Sequence, residues 1–214
     1  MKYHKLVENA KKPNGFWGKM MIKAMNKGHS RLTSWGLEHM NIERTATVLD
    51  IGCGGGKTVD RLCSIVANGK VYGIDYSELS VKSSEKLNSK NILCNKAKIL
   101  QASVSDMPFD DNTFDNITAV ETYYFWPDKE NDVKEVFRVL KQGGTVMLLF
   151  EMLRTDDDPF KWEKVENMLN IKSVTPQEIR AVLESAGFEN INTYTKEGTT
   201  WLCATAQKPK DDEN

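Results

Sequence analysis

The chain has 214 residues, 40% hydrophobic and 28% charged, with 14 glycines and 6 prolines and a mean hydropathy of -0.50, the composition of a foldable chain with one core rather than a disordered one. Twenty-nine Lys and Arg against thirty Asp and Glu give a formal charge of -1, so no overall field gathers phosphates, and no nucleic-acid partner is expected. The longest apolar run, residues 146–150, is far short of the ~20 residues that cross a bilayer, so no transmembrane segment is predicted.

At the start of the chain, Lys2, Lys5, Lys11 and Lys12 are followed by no continuous apolar core or small-residue cleavage site, which argues against an export leader. Phe16, Trp17, Met20, Met21, Ala24 and Met25 then recur at helical spacing, with Lys19, Lys23 and Lys27 on the other face. A second short helix is expected to hold Leu32, Trp35 and Met40. Residues 1–44 read as an N-terminal helical cap, basic by nine Lys or Arg to three Glu.

From Thr47 short apolar runs alternate with amphipathic stretches, the pattern of a parallel sheet covered by helices. Strands are predicted at 47–51, 70–74, 98–102, 116–120 and 145–150, and helices at 57–67, 77–88 and 132–140. Gly69 and the pair Gly143 and Gly144 serve as helix stop signals. Residues 156–159 open an irregular segment, and Thr175, Pro176 and Glu178 form a capping box with proline at the first helical position. Strands at 189–194 and 199–206 around Glu197 and Gly198 predict an antiparallel hairpin on the sheet edge. The core domain therefore spans 45–208, and a frayed tail begins at Lys208 and runs through 209–214. Fold class is α/β: a doubly wound, Rossmann-like, seven-stranded and mostly parallel sheet. The cysteines at 53, 63, 94 and 203 match neither a zinc spacing nor a disulfide framework; a reducing cytoplasm fits, and no metal centre is expected.

The strongest chemical signal is Val48-Leu49-Asp50-Ile51-Gly52-Cys53-Gly54-Gly55-Gly56, a strand entering a glycine-rich turn ahead of a helix. A P-loop would end in Gly56-Lys57-Thr58, but its first glycine falls on Ile51. A dinucleotide fingerprint would place its third glycine where Lys57 stands. In the third reading Asp50 precedes glycines at 52, 54 and 56. An acid there repels a pyrophosphate, yet suits a ligand with an ammonium and a sulfonium and no phosphate, such as S-adenosylmethionine. Glycines let the backbone approach such a ligand closely. Asp75 ends the second strand, where a carboxylate accepts from ribose hydroxyls; nicotinamide enzymes use an acid there too, so Asp75 alone does not choose.

On these residues the chain resembles the class I S-adenosylmethionine-dependent methyltransferases, nearest the small-molecule branch that includes ubiquinone and menaquinone biosynthesis methyltransferases. The likeness spans about residues 47–209. It implies that Gly52 and Gly54 line the methionine part, that Asp75 holds the ribose and that Tyr76 packs on the adenine. It also matches the stretch 107–115 before the fourth strand, places Val120, Glu121 and Thr122 at that strand's cofactor-facing end, and makes 140–144 the turn before the fifth. Ser103 stands where the family usually has an aspartate that accepts from the adenine amino group, so recognition leans on Ser103 and the backbone of Val104.

For the acceptor side, the resemblance implies a cover built from the region before the glycine loop, which makes Asn26 and His29 candidates; His29 also reads as a helix C-terminal residue. The run Tyr123-Tyr124-Phe125-Trp126 follows the fourth strand at the carboxyl edge, so at least one ring, with Tyr123 the candidate, should face the acceptor. Glu151 ends the fifth strand at the same edge, as a proton-handling group or the partner of a cap lysine. Cys53 is a steric choice within the loop. The expected activity is methyl transfer to a small molecule. An RNA methyltransferase, a nicotinamide oxidoreductase and a non-catalytic cofactor-binding protein stay open as alternatives.

Overall fold

The computed structural model describes Gly15, Gly18, Met20, Ile22 and residues 28–210. The expectations for Phe16, Trp17, Met21, Ala24, Met25 and Asn26 lie outside the described residues. Seven strands form one sheet: β1 (Thr47–Ile51), β2 (Lys70–Asp75), β3 (Ala97–Gln101), β4 (Phe114–Val120), β5 (Leu140–Phe150), β6 (Glu189–Thr195) and β7 (Leu202–Gln207). Their order is β3-β2-β1-β4-β5-β7-β6. The pairs among the first five are parallel, and β7 runs antiparallel to both β5 and β6. The strand order reverses between β1 and β4, and an open α/β sheet binds ligands beyond the carboxyl ends of the strands at such a point.

Eight residues, Ser30–Leu37, form helix α1; α2 covers Lys57–Ile65, α3 Glu78–Leu87, α4 Ser89–Leu93, α5 Lys129–Val139, α6 Glu163–Leu169 and α7 Pro176–Ser185. Helical spacing puts Val59, Leu62 and Cys63 on the buried face of α2, packed with Val48, Val71 and Ile99 of the sheet. Removing such aliphatic side chains from water contributes about 1.5–3 kcal/mol each. The predicted capping box opens α7: Thr175 Oγ1 accepts from Glu178 N at 3.1 Å and a Glu178 oxygen accepts from Thr175 N at 2.9 Å.

Four expectations need correction. Gly143 and Gly144 do not stop a helix: α5 ends at Val139, because Leu140 is fully buried and already pairs with Phe114 in the sheet. The glycines lie in the excursion from which β5 re-registers as Thr145 against Asn116. Lys208 does not fray. Its side chain is buried, and Nζ donates to Phe137 O at 2.8 Å, Leu140 O at 2.9 Å and Asn112 Oδ1 at 2.8 Å, closing the carbonyl end of α5. Helices α4 and α6 form where no helix was expected; both are short, five and seven residues, with no buried side chains to set a pattern. Finally, the short helix expected to hold Leu32, Trp35 and Met40 forms as α1 but ends at Leu37, before Met40; Leu32 and Trp35 pack with Met147, Leu149 and Cys203 on the sheet. A Cβ added to Gly36 would lie 2.7 Å from Leu149 Cδ2, so any other residue here would force the Leu149 side chain or the helix to shift.

Candidate active site

Two adjoining clefts open at the switch point, sharing Gly52, Asp75, Tyr76, Thr122 and Phe125. The first is floored by the glycine loop, where Gly52 and Gly54 have φ of +68° and +51°. A Cβ on Gly52 would stand 2.2 Å from Thr122 Oγ1, so this glycine lets the β1 and β4 ends meet. A Cβ on Gly54 would meet nothing nearer than Gly52 O at 4.0 Å; its bare face is open to the cleft.

Asp75 sits at the end of β2 with both oxygens held: Oδ2 accepts from Gly54 N at 3.0 Å and Oδ1 from Ser77 N at 2.8 Å. The Ser80 side chain also hydrogen-bonds this carboxylate, which still has room among its roughly four acceptor sites for an outside donor. Burial raises the Asp75 carboxyl against these hydrogen bonds. Asp50, 2% exposed on β1, accepts from Thr118 Oγ1 at 2.7 Å and is pushed up to about 7, first by burial and then by the charge of Asp75. Glu121, just past β4, is pushed up to about 8 by burial and by Glu151, against its hydrogen bonds from Glu151 N and Tyr124 Oη. It holds φ of +59°, an unusual conformation for a residue with a Cβ.

The cations that share this cleft are engaged. Lys57 Nζ lies 2.9 Å from Asp60, and Arg61 donates to Ser30 O, Ser30 Oγ and Ser34 Oγ. The cleft therefore presents Asp50, Asp75 and Glu121 to its ligand beside an ion-paired lysine and an arginine held by neutral oxygens.

Tyr76 is 40% exposed and lines both clefts, whereas Ser103 and Val104 line the second. Ser103 Oγ accepts from Ser105 N at 3.2 Å, so its hydroxyl caps the local turn. Cys53 is buried, burial raises its thiol well above the ordinary range, and its Sγ contacts Ser84 Oγ at 3.8 Å; it is not poised as a nucleophile.

Also in the first cleft are His29 and Glu121, which converge with Glu151, their nearest ligating atoms all within 4.8 Å of one another. His29 Nε2 lies 3.8 Å from Glu151 Oε2. Burial lowers the His29 pKa against the opposing pull of Glu151. Tyr123 does not join them. The turn Tyr123–Phe125 is a single 3-10 turn, and its first ring is buried against Trp126 at 5.2 Å and Phe150 at 5.7 Å. Phe125 instead lines both clefts, while Tyr124 lines the second and accepts from Met152 N at 3.0 Å. Three-residue periodicity turns successive side chains about a third of a circle apart, so one run of aromatics is divided between core and cleft. Thr122 lines both clefts at the end of β4, where it was expected, and Phe125 rather than Tyr123 is the ring of the aromatic run that reaches both; sequence reasoning missed Asn170, whose position carries no motif signal.

The chemistry of the donor set fits a cationic nucleoside without phosphate, as S-adenosylmethionine is: a glycine face open to the cleft, buried acids and a partly exposed aromatic ring.

Residues 49–148 match the family model described as a methyltransferase domain. The chain is 28% identical over 180 residues to the uncharacterized methyltransferase YdaC of Bacillus subtilis, covering 83% of this chain and 92% of that protein. It is 31% identical over 181 residues to the ubiquinone/menaquinone biosynthesis C-methyltransferase UbiE of Cronobacter sakazakii, covering 73% and 72%. A sterol 24-C-methyltransferase of Pneumocystis carinii is 27% identical over 162 residues; the match spans 72% of this chain but only 42% of that longer protein. In fold, a SAM-dependent methyltransferase from Aquifex aeolicus superposes with a TM-score of 0.68 at 21% identity, over 88% of this chain and 97% of that one. The [4+2]-cyclase SpnF superposes at 0.74 with 18% identity, over 86% and 82%, so the fold alone does not dictate the reaction. With the methyltransferase-domain match, the UbiE likeness and the seven-stranded sheet in agreement, the chain belongs to the class I S-adenosylmethionine-dependent methyltransferases and is an enzyme of methyl transfer.

Proposed function

We propose that the two clefts at the β1–β4 switch point bind S-adenosylmethionine, its methionine end in the first and its adenine toward the second, and that a small-molecule acceptor enters beside His29 and Glu121. One observation carries this reading: Asp50, Asp75 and Glu121 converge, partly or fully buried, on a cleft whose lysine and arginine are engaged elsewhere. Such a site favours a cation and opposes a pyrophosphate, which counts against a nicotinamide cofactor. When bound, the cofactor supplies a methyl group activated by its sulfonium.

In this reading Gly52 and Gly54 flank the methionine chain, Asp50 faces its ammonium and Asp75 accepts from the ribose. Tyr76 covers adenine, with Ser103 and Val104 at the adenine edge. Glu121, His29 and Glu151 border the acceptor, whose alignment and shielding from water supply much of the acceleration. Relatives named for quinone and sterol C-methylation support a small organic acceptor. The formal charge of -1 counts against RNA. Among the described residues no helix is long and apolar enough to cross a membrane, and we place the enzyme in the cytoplasm.

Residues 1–44 serve as the cap, 45–208 as the methyltransferase domain and 209–214 as the tail, with α1 belonging to cap and core at once. Calorimetric titration with S-adenosylmethionine and with NADH tests the cofactor. Binding of the first and not the second is expected, and the reverse would overturn the assignment. A chain starting at Arg44 should lose methyl transfer, and it should also lose stability, because the face of Met147, Leu149 and Cys203 that α1 covers becomes exposed.

A further inference from the structure

Three segments distant in sequence meet at the first cleft, which His29 and Glu121 line and where Glu151 joins them. His29 is held from behind: its carbonyl accepts from Thr33 N and Thr33 Oγ1, both at 2.8 Å, and Arg61 grips the next residue, Ser30. Glu151 follows β5, and its backbone N–H is clamped by the carboxyl of Glu121, which follows β4. The Glu151 side chain stays 47% exposed and faces the imidazole, whose side chain is 25% exposed. No protein hydrogen bond to either ring nitrogen of His29 occurs among the described residues. Glu151 and Glu121 from the strand ends lie against this ring, and the same cleft is lined by Asp50, Cys53, Asp75 and Tyr76 and by Lys57 and Arg61 from α2.

We infer that His29 is the general base of the methyl transfer and Glu151 its positioning partner, and that the acceptor is a protic one: a phenol, an enol or an activated C–H whose attacking atom must give up a proton. The inference rests on the proposed cofactor site. With Nε2 turned toward Glu151, the carboxylate favours the tautomer carrying the proton there, which leaves Nδ1 as the basic atom. An acceptor electron pair forms the new bond to the methyl carbon, and the S–CH3 bond breaks with its pair left on sulfur as a neutral thioether. The acceptor's proton passes to Nδ1, the imidazolium that results faces Glu151, and water later removes the proton. The buried, uncharged state favoured for the free ring keeps it ready to accept. Glu121 holds the Glu151 backbone in place and is a second positioning residue. A tertiary amine would need none of this apparatus, since its attacking nitrogen carries no proton.

The test uses the full chain in two arms. In the first, the His29 ring is titrated by NMR in protein loaded with S-adenosylhomocysteine, assigned by loss of the signal in His29→Gln. Its pKa should lie below 6.5 and fall further in Glu151→Gln; a value above 6.5, or one that Glu151→Gln leaves unmoved, overturns the inference. In the second, labelled methyl transfer from S-adenosylmethionine to a metabolite extract is compared between variants. His29→Gln should lose at least about 100-fold together with the acid limb of the pH profile, and added imidazole should partly rescue His29→Ala. Equal turnover, or labelling found only on tertiary amines, refutes the assignment. Abolition of labelling by EDTA with restoration by Mn2+ also refutes it, in favour of a cation held by His29, Glu121 and Glu151. Cofactor affinity, measured beside both arms, should be unchanged in these variants, and its absence in the parent chain would indict the cofactor site instead.

Discussion

Replacing Asp50 by Asn isolates what the buried acid does. Asp50 accepts from Thr118 Oγ1 at 2.7 Å, a contact the amide oxygen of Asn can keep. Burial and Asp75 raise the Asp50 carboxyl from its ordinary 3.8 to about 7. A carboxyl raised on folding stabilises the fold below its unfolded value, and that contribution is lost as pH climbs from near 4 through about 7. At 1.36 kcal/mol per tenfold change in acidity, the loss amounts to about 4 kcal/mol by pH 8. Asp50→Asn does not titrate, so without ligand it should melt higher than the parent at pH 8, while the gap should close toward pH 4. Each kcal/mol moves the midpoint by roughly 2–4 °C in a chain of this size. Binding should move the other way. A cationic ligand selects ionised Asp50, so parent affinity for S-adenosylmethionine should tighten between pH 5.5 and 7, whereas the variant should be weaker and lack this component. Scanning calorimetry and titration calorimetry across this range read both effects. An Asn variant with the parent's pH dependence in melting and in binding would refute the charge argument.

Asp75→Ala should weaken S-adenosylmethionine by roughly 1–3 kcal/mol through lost charge-assisted hydrogen bonds, and unchanged affinity in a folded variant would remove Asp75 from the site. Because Ser103 Oγ is engaged with Ser105 N, Ser103→Ala should bind the cofactor nearly as well as the parent, while Ser103→Asp should bind as tightly or more so; loss on Ser103→Ala would show that the hydroxyl reaches adenine. Lys208→Ala strands the carbonyls of Phe137 and Leu140 and should cost roughly 1–3 kcal/mol in urea unfolding, with cofactor affinity intact; an unaltered midpoint would show that water replaces the ammonium.

Much of the architecture was legible because its causes are local. Alternating apolar runs announced β1 through β5, the Thr175, Pro176 and Glu178 pattern announced α7, and the turn at Gly198 announced the hairpin. The glycine loop was legible for the same reason: Asp50, Gly52, Gly54 and Asp75 lie at strand ends that the pattern itself locates. Their companions were decided by tertiary structure. Lys208 reads as a tail residue until the sheet brings it to carbonyls some 70 positions earlier. Tyr123 and Phe125 belong to one aromatic run, and only the 3-10 turn after β4 assigns one to the core and the other to the cleft. The meeting of His29, Glu121 and Glu151 depends on contacts across 30 or more residues. The left-handed backbone of Glu121 has no counterpart in composition or spacing. Local chemistry sets which elements form and where a chain can turn, because its energies act between near neighbours. The charge state of a buried acid and the company of a histidine depend on which distant surfaces exclude water, and that is settled only when the sheet closes.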